Sequence, residues 1–155
     1  MEKISLKLFE FYNLESELNG VMNQQTGEKI SAGLLAEKLK LTTKYWLTEL
    51  AKKVAAEKTT VETLKEELIK KHGETDETGN ISIPMYIDIV KDEDDKIIDG
   101  KNNPKFIEFQ SEFNALLQEE KELEYKPVLL SELENIESDG NYPTFFKLVV
   151  ADEQA

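Results

Sequence analysis

The chain has no cysteine, no arginine, one histidine and one tryptophan among its 155 residues. Without cysteine there are no disulfides, thiolate metal sites, iron–sulfur clusters or cysteine nucleophiles. A single histidine with no cysteine beside it removes zinc centres of the usual nitrogen–sulfur type. All 19 basic residues are lysine; a biased, AT-rich genome accounts for that usage. Without guanidinium forks the bidentate reading of guanine or phosphate is missing, so direct nucleic-acid binding is not expected. No apolar run approaches the ~20 residues of a spanning helix. The opening Met1-Glu2-Lys3-Ile4-Ser5 holds no apolar segment before a small-residue cleavage site. These absences point away from membranes and towards the cytoplasm. A phosphate loop, a G-x-S-x-G elbow and a glycine-rich strand-to-helix turn are also missing. No catalytic residue, cofactor or metal is therefore expected, and the chain reads as a non-enzyme.

What is present is charge, at 33% of residues, beside a modest hydrophobic fraction of 39%. The net charge of −13 is uneven. Residues 1–73 carry 12 lysines against 11 glutamates, whereas residues 74–155 carry seven lysines against 21 acids. Such a block is either a solvated face or a footprint for a basic partner. The length suits one domain, read as residues 1–150 with a flexible tail at 151–155.

Along the chain, Ile4, Leu6 and Leu8 alternate before Phe9, Phe11, Leu14 and Leu18 take over at helical spacing. Either a short strand runs into a helix, or one helix starts near residue 5; Asn19-Gly20 stops it. Residues 21–30 are polar and read as a loop. A long apolar stripe of Leu35, Leu39, Trp46, Leu50 and Val54 predicts a helix from near Ser31. Thr59 and Glu62 have capping-box spacing, so residues 31–73 form one kinked helix or two consecutive ones. A polar turn follows at residues 74–80. Ile81, Ile83, Met85, Ile87 and Ile89 alternate as in a half-buried strand, and Pro84 demotes it to an edge. With an acidic tip at residues 91–96, residues 81–99 make a plausible hairpin, and the N-terminal strand is its proposed neighbour. Asn103-Pro104 opens another helix with Phe106, Phe109, Phe113, Leu116 and Leu117 on one face. Glu119 to Glu124 then falls at that helix's C-terminus, where negative charge is disfavoured. A capped short helix from Ser131, a turn at Ser138-Asp139-Gly140 and an apolar run from Phe145 to Val150 complete the reading. The fold class is α+β, predominantly helical, with three or four helices packed on a small antiparallel sheet or hairpin.

Chemistry-bearing candidates are few. Glu74, Asp76, Thr78 and Gly79 imitate part of a calcium loop, but Met85 stands where a bidentate glutamate is needed. His72 lies in the last turn of a helix and reads as a cap rather than a base. Tyr45 and Trp46 sit between lysines as in a base-stacking surface, yet the tryptophan falls on the apolar stripe and reads as core. The residues singled out for partner binding are the acidic sets Asp92, Glu93, Asp94 and Asp95, and Glu119, Glu120, Glu122 and Glu124.

Three stretches carry a family resemblance: Lys3-Ile4-Ser5-Leu6-Lys7-Leu8 with Leu14 to Gly20, Leu39 to Leu47, and Glu67 to Gly73 with the acidic turn ending in Gly79. Asn103-Pro104-Lys105-Phe106, leading into a Leu-Leu-rich acidic stretch, is a fourth. Together they resemble small uncharacterised proteins of tailed bacteriophages. The resemblance implies a phage protein acting in the host cytoplasm or the virion, and it carries no functional residues with it. The expected function is a non-catalytic module that binds another protein, phage or host, in virion assembly or in host or defence modulation. Two alternatives stand beside it: an acidic DNA mimic that inhibits a nucleic-acid enzyme, and a small metal-dependent hydrolase using Asp and Glu.

Overall fold

The computed structural model describes residues 1–136 and 141–152. Its elements run β1 (Glu2–Lys7), α1 (Leu8–Asn19), β2 (Val21–Met22), β3 (Lys29–Ser31), a 3₁₀ turn (Leu34–Ala36), α2 (Leu41–His72), β4 (Glu74–Thr75) and β5 (Ile81–Ser82). They continue with β6 (Tyr86–Lys91), β7 (Ile97–Asn102), α3 (Pro104–Leu117), β8 (Glu120–Tyr125) and β9 (Val128–Leu129). Two further 3₁₀ turns (Leu130–Leu133 and Phe145–Leu148) and β10 (Val149–Val150) close the chain. The class is α+β, with three α-helices and five two-stranded pairings among the described residues, of which β9–β10 is parallel and the rest antiparallel. The turn expected at Ser138-Asp139-Gly140 lies outside the described residues, as do residues 153–155 of the expected tail. Two compact units divide the chain: Met1–Thr59 with Glu119–Ala155, and Thr60–Gln118.

In the first unit β1 pairs antiparallel with β8 over its whole length, Glu2 opposite Tyr125 and Lys7 opposite Glu120. The N-terminal strand thus has β8 as its partner and not residues 81–99. The stretch Glu119–Glu124, expected at a helix end, is mostly strand. Its alternation explains why: Leu123 and Tyr125 point inward beside Leu6, while Glu120, Glu122 and Glu124 are exposed. A half-apolar period of two favours strand once an apolar partner such as Ile4-Ser5-Leu6 covers one face.

The strand-into-helix reading of the N-terminus holds. Glu10 Oε1 accepts the Lys7 N–H at 3.1 Å and Leu8 N donates to the Glu119 carbonyl at 2.9 Å, so α1 starts directly off the ribbon. Leu8, Phe11, Leu14 and Leu18 bury one face of α1. Gly20 ends it at φ +85° and Gly33 sits at φ +81°. Each glycine lies so close to the other's neighbouring backbone that a Cβ on either would strike it. That left-handed Gly33 also breaks the helix expected from Ser31: Ser31 ends β3 and α2 begins only at Leu41. The polar stretch 21–30, read as a loop, makes up the β2–β3 hairpin together with Ser31.

Within this unit α2 buries Thr43, Leu47, Leu50, Ala51 and Val54. The core position is Leu47, and Trp46 is only half-buried. C-terminal segments are fastened by carboxylates. Glu17 Oε1 accepts the Thr144 and Phe145 N–H groups at 2.9 and 3.0 Å. Glu132 accepts the Thr43 hydroxyl at 2.7 Å and the Leu129 N–H at 2.8 Å. Asp152 accepts the Ser131 N–H at 3.0 Å, and the hydrogen bond from the Ser131 hydroxyl, with that N–H, holds its carboxyl below the usual range.

The predicted restart at Thr59 does not occur, because the Thr59 hydroxyl donates to the Ala55 carbonyl at 3.0 Å and α2 continues to His72. A threonine facing back to the i−4 carbonyl is compatible with a helix interior, so the capping-box spacing is coincidental here.

In the second unit the alternating run at 81–89 splits. Ile81–Ser82 pairs with Glu74–Thr75, and Tyr86–Lys91 pairs with Ile97–Asn102. Pro84, which has no N–H to give a ladder, falls in the gap. The expected hairpin is therefore real but displaced, at residues 86–102. Asn103 caps α3 as anticipated, its Oδ1 accepting the Lys105 N–H at 3.1 Å. Phe106, Phe109, Phe113 and Leu116 form the half-buried face of that helix, and Phe109 stacks parallel on Phe113 with centroids 5.9 Å apart. His72 bridges two helices: Nε2 lies 2.9 Å from Glu112 and Nδ1 3.6 Å from Glu108, with Lys71 also 3.0 Å from Glu112.

Candidate interaction surface

Two turns of the second unit share one construction. In the first, Asp76 Oδ1 accepts the N–H groups of Thr78 and Asn80, both at 2.9 Å. In the second, Asp92 Oδ1 accepts those of Asp94 and Lys96, again both at 2.9 Å. Gly79 (φ +86°) and Asp95 (φ +64°) occupy the left-handed position in each. This is Asx-turn chemistry closing a hairpin. The calcium-loop imitation at 74–80 is such a turn, and the hydrogen bond from the Thr78 hydroxyl, with the backbone N–H groups, holds Asp76 below the usual carboxylate range. In sequence the two turns share only Asp-Glu at the start and the isoleucine that follows, Ile81 and Ile97; their common construction comes from the geometry the leading aspartate imposes.

The acidic tip Asp92–Asp95 thus crowns the β6–β7 hairpin. Beneath it both strands carry exposed apolar side chains: Tyr86, Ile87, Ile89 and Val90 on β6, and Ile97 and Ile98 on β7, the last two 64% and 65% exposed. The alternating pattern predicts one buried face, yet every residue of both strands is exposed. Among the described residues the sheet has only these two strands, so both edges keep unpaired backbone groups. Asp88, at φ +52°, marks a bulge in β6 where the register shifts between Ile87 and Val90. At its base the hairpin is anchored: Asn103 is buried, its N donates to the Met85 carbonyl at 3.0 Å and its Nδ2 to the Pro84 carbonyl at 2.8 Å.

The other acidic set is a different object, in the other unit. Glu120, Glu122 and Glu124 stand opposite Lys7, Ser5 and Lys3 on the outer face of the β1–β8 ribbon. Lys3 lies 3.4 Å from Glu122, and the Ser5 hydroxyl donates to Glu120 at 3.4 Å. The Glu119 carbonyl is held by Leu8 N. These glutamates are therefore interleaved with lysines and do not form an unbroken acidic field.

Of two further surfaces, the first was missed from sequence and the second was weighed as a base-stacking surface but read as core. An open, largely apolar cleft of about 690 Å³ in the first unit is walled by Leu130, Leu133, Ile136, Tyr142 and Phe146, with Asp152 at its rim. Trp46 lies on the surface with Tyr45 edge-on to it at 5.1 Å and the Lys126 ammonium 4.9 Å above its ring. The sequence signal for the latter was the Tyr45-Trp46 pair beside Lys44. Among the described residues no three His, Asp or Glu side chains converge to hold a metal ion, and no helix is long and apolar enough to cross a membrane. Comparison of the chain with protein families, curated proteins and solved structures finds no match in any of the three.

Proposed function

We propose that the protein is a non-catalytic protein-binding module and that the β6–β7 hairpin is its binding element. One observation carries the reading: six large apolar side chains stand exposed on a two-stranded hairpin with open edges. A lone hairpin is marginally stable in water, and exposed apolar patches with strand edges are docking surfaces. The charge of the element defines its counterpart. Asp88, Asp92, Glu93, Asp94, Asp95 and Asp99 outnumber Lys91, Lys96 and Lys101, so the partner presents an apolar surface bordered by basic groups. In the phage context implied by the sequence resemblance, that partner is a phage or host protein in assembly or in host or defence modulation. The DNA-mimic alternative loses support from the lysines opposite the β8 glutamates.

The test is a crosslinked pull-down from native lysate with the wild-type chain and with Ile97→Ser/Ile98→Ser, washed at low and high salt. The expected result is a partner kept at high salt by the wild type and lost by the variant. Capture of the same partners by both proteins would remove the hairpin from the interaction. Loss of all wild-type partners at high salt would indicate an electrostatic interface of the mimic kind.

A further inference from the structure

The identity of one partner is written in β7 itself; the inference rests on the reading of the hairpin as a binding element. Gly100 lies in the middle of that strand, opposite the β6 bulge, and no packing contact inside the protomer requires a glycine there. Its backbone lies outside the left-handed region, and a Cβ built there would meet nothing closer than 3.8 Å, at the Ile87 carbonyl and an Ile89 methylene. Glycine in a strand interior weakens the strand and marks places where another backbone comes close. The Gly100 N–H is held at 2.8 Å by the carboxylate of Asp99, so it is a donor that an added strand's carbonyl can take over.

Asp99 and Lys101 flank Gly100 with opposite charges. Reversing the chain direction about Gly100 exchanges them. Two copies of β7 running antiparallel and centred on Gly100 therefore set Asp99 of each opposite Lys101 of the other, two unlike pairs from one two-fold axis. In the protomer Lys101 has only a loose, exposed contact with Asp88 at 3.9 Å, so it is available. Antiparallel addition also sends the acidic tips at 92–95 to opposite ends of the new sheet, where they do not repel. The other edge is the poorer choice, because the Asp88 bulge interrupts the middle of β6, whereas the extra residue of β7, Ile98, lies towards the tip and outside the Asp99–Lys101 centre.

We propose that β7 is a self-recognition edge: a second copy of the chain pairs across it, centred on Gly100, giving a four-stranded antiparallel sheet. Its apolar faces stay open to the partner discussed above.

Sedimentation of the full chain over a range of concentrations tests this with three samples: wild type, Asp99→Lys and Lys101→Asp. Wild type should dimerise with rising concentration. Each single reversal replaces two unlike pairs by two like ones and should weaken the dimer on the order of tenfold or more. Mixing the two variants restores unlike charges at both pairs, so the mixture should form a heterodimer that neither variant forms alone. Circular dichroism checks that both variants keep the fold, as expected for exposed positions. A wild type that stays monomeric at all concentrations, or single reversals that dimerise like wild type, would overturn the proposal. A monomeric wild type whose captured partner still depends on Ile97 and Ile98 overturns self-recognition alone. Loss of both results removes the binding reading as well.

Discussion

The Asn103 side-chain amide donates to the Pro84 carbonyl at 2.8 Å, joining the residue that opens α3 to the residue that splits the alternating run at 81–89. The same side chain caps the helix through its oxygen, and its two halves can be separated by mutation. Asn103→Asp keeps the acceptor for the Lys105 N–H and loses the donor to Pro84. Asn103→Ala loses both. Equilibrium urea unfolding should show a loss of about 1 kcal/mol for the aspartate and about 2–3 kcal/mol for the alanine. Equal losses would mean that the cap contributes nothing, and an aspartate variant as stable as wild type would mean the same of the Pro84 contact.

Asp95 occupies a left-handed position at φ +64° that glycine fills in the matching turn as Gly79. Aspartate tolerates this conformation and glycine adopts it without steric strain. Asp95→Gly should therefore stabilise the hairpin by a few tenths to about 1 kcal/mol, while Asp95→Val should destabilise it by a similar amount or more. Amide exchange of the β6 and β7 protons reads this directly. Faster exchange in the glycine variant would contradict the turn assignment.

Which parts of the fold the sequence made legible follows from the range of the interactions involved. The Asn103-Pro104 cap, the Gly20 stop and the turn at 74–80 depend on residues within a few positions, and each is where local chemistry puts it. The strand at Glu120–Tyr125 was not legible as one, because Glu, Lys and Leu favour helix and its partner β1 lies over a hundred residues away. Thr59 misled for the opposite reason: its hydroxyl had a competing acceptor in Ala55 that spacing alone does not reveal. At the candidate surface the acidic tip could be read directly. The exposure of both strands beneath it could not, since alternation reports a potential apolar face and is silent on whether anything covers it.

Glu112, within α3, holds the C-terminal end of α2 in the second unit. The hydrogen bond from His72, with the one from Lys71, holds its carboxyl below the ordinary 4.5. A carboxyl with a depressed folded value contributes stability above its unfolded value, and that contribution disappears as pH falls through the folded value. Protection of α3 amides should accordingly hold from neutrality to about pH 4.5 and fall below it. Glu112→Gln should remove the Glu112 component of that pH dependence, and His72→Phe should move the Glu112 titration back up, with Lys71 still in place. Carboxyl-detected NMR follows the group itself; a Glu112 titration unmoved by His72→Phe would refute the pairing.

Trp46 is the chain's sole tryptophan, and its position on the surface turns it into a reporter. With the Lys126 ammonium 4.9 Å above the ring, Lys126→Gln removes a cation–π contact and changes the field at the indole. The emission should shift, and stability should fall by about 0.5–1 kcal/mol at such an exposed site. The same fluorescence tests whether this aromatic pair serves nucleic acid. Stacking of a base on Trp46 would quench it, and without arginine the electrostatic partner for a phosphate chain rests on lysines alone. Single-stranded oligonucleotide at low salt should leave the emission unchanged, because Lys126 already covers one face of the ring. Quenching that disappears on raising the salt would instead make the Tyr45–Trp46 surface a nucleic-acid contact and displace the hairpin as the principal binding element.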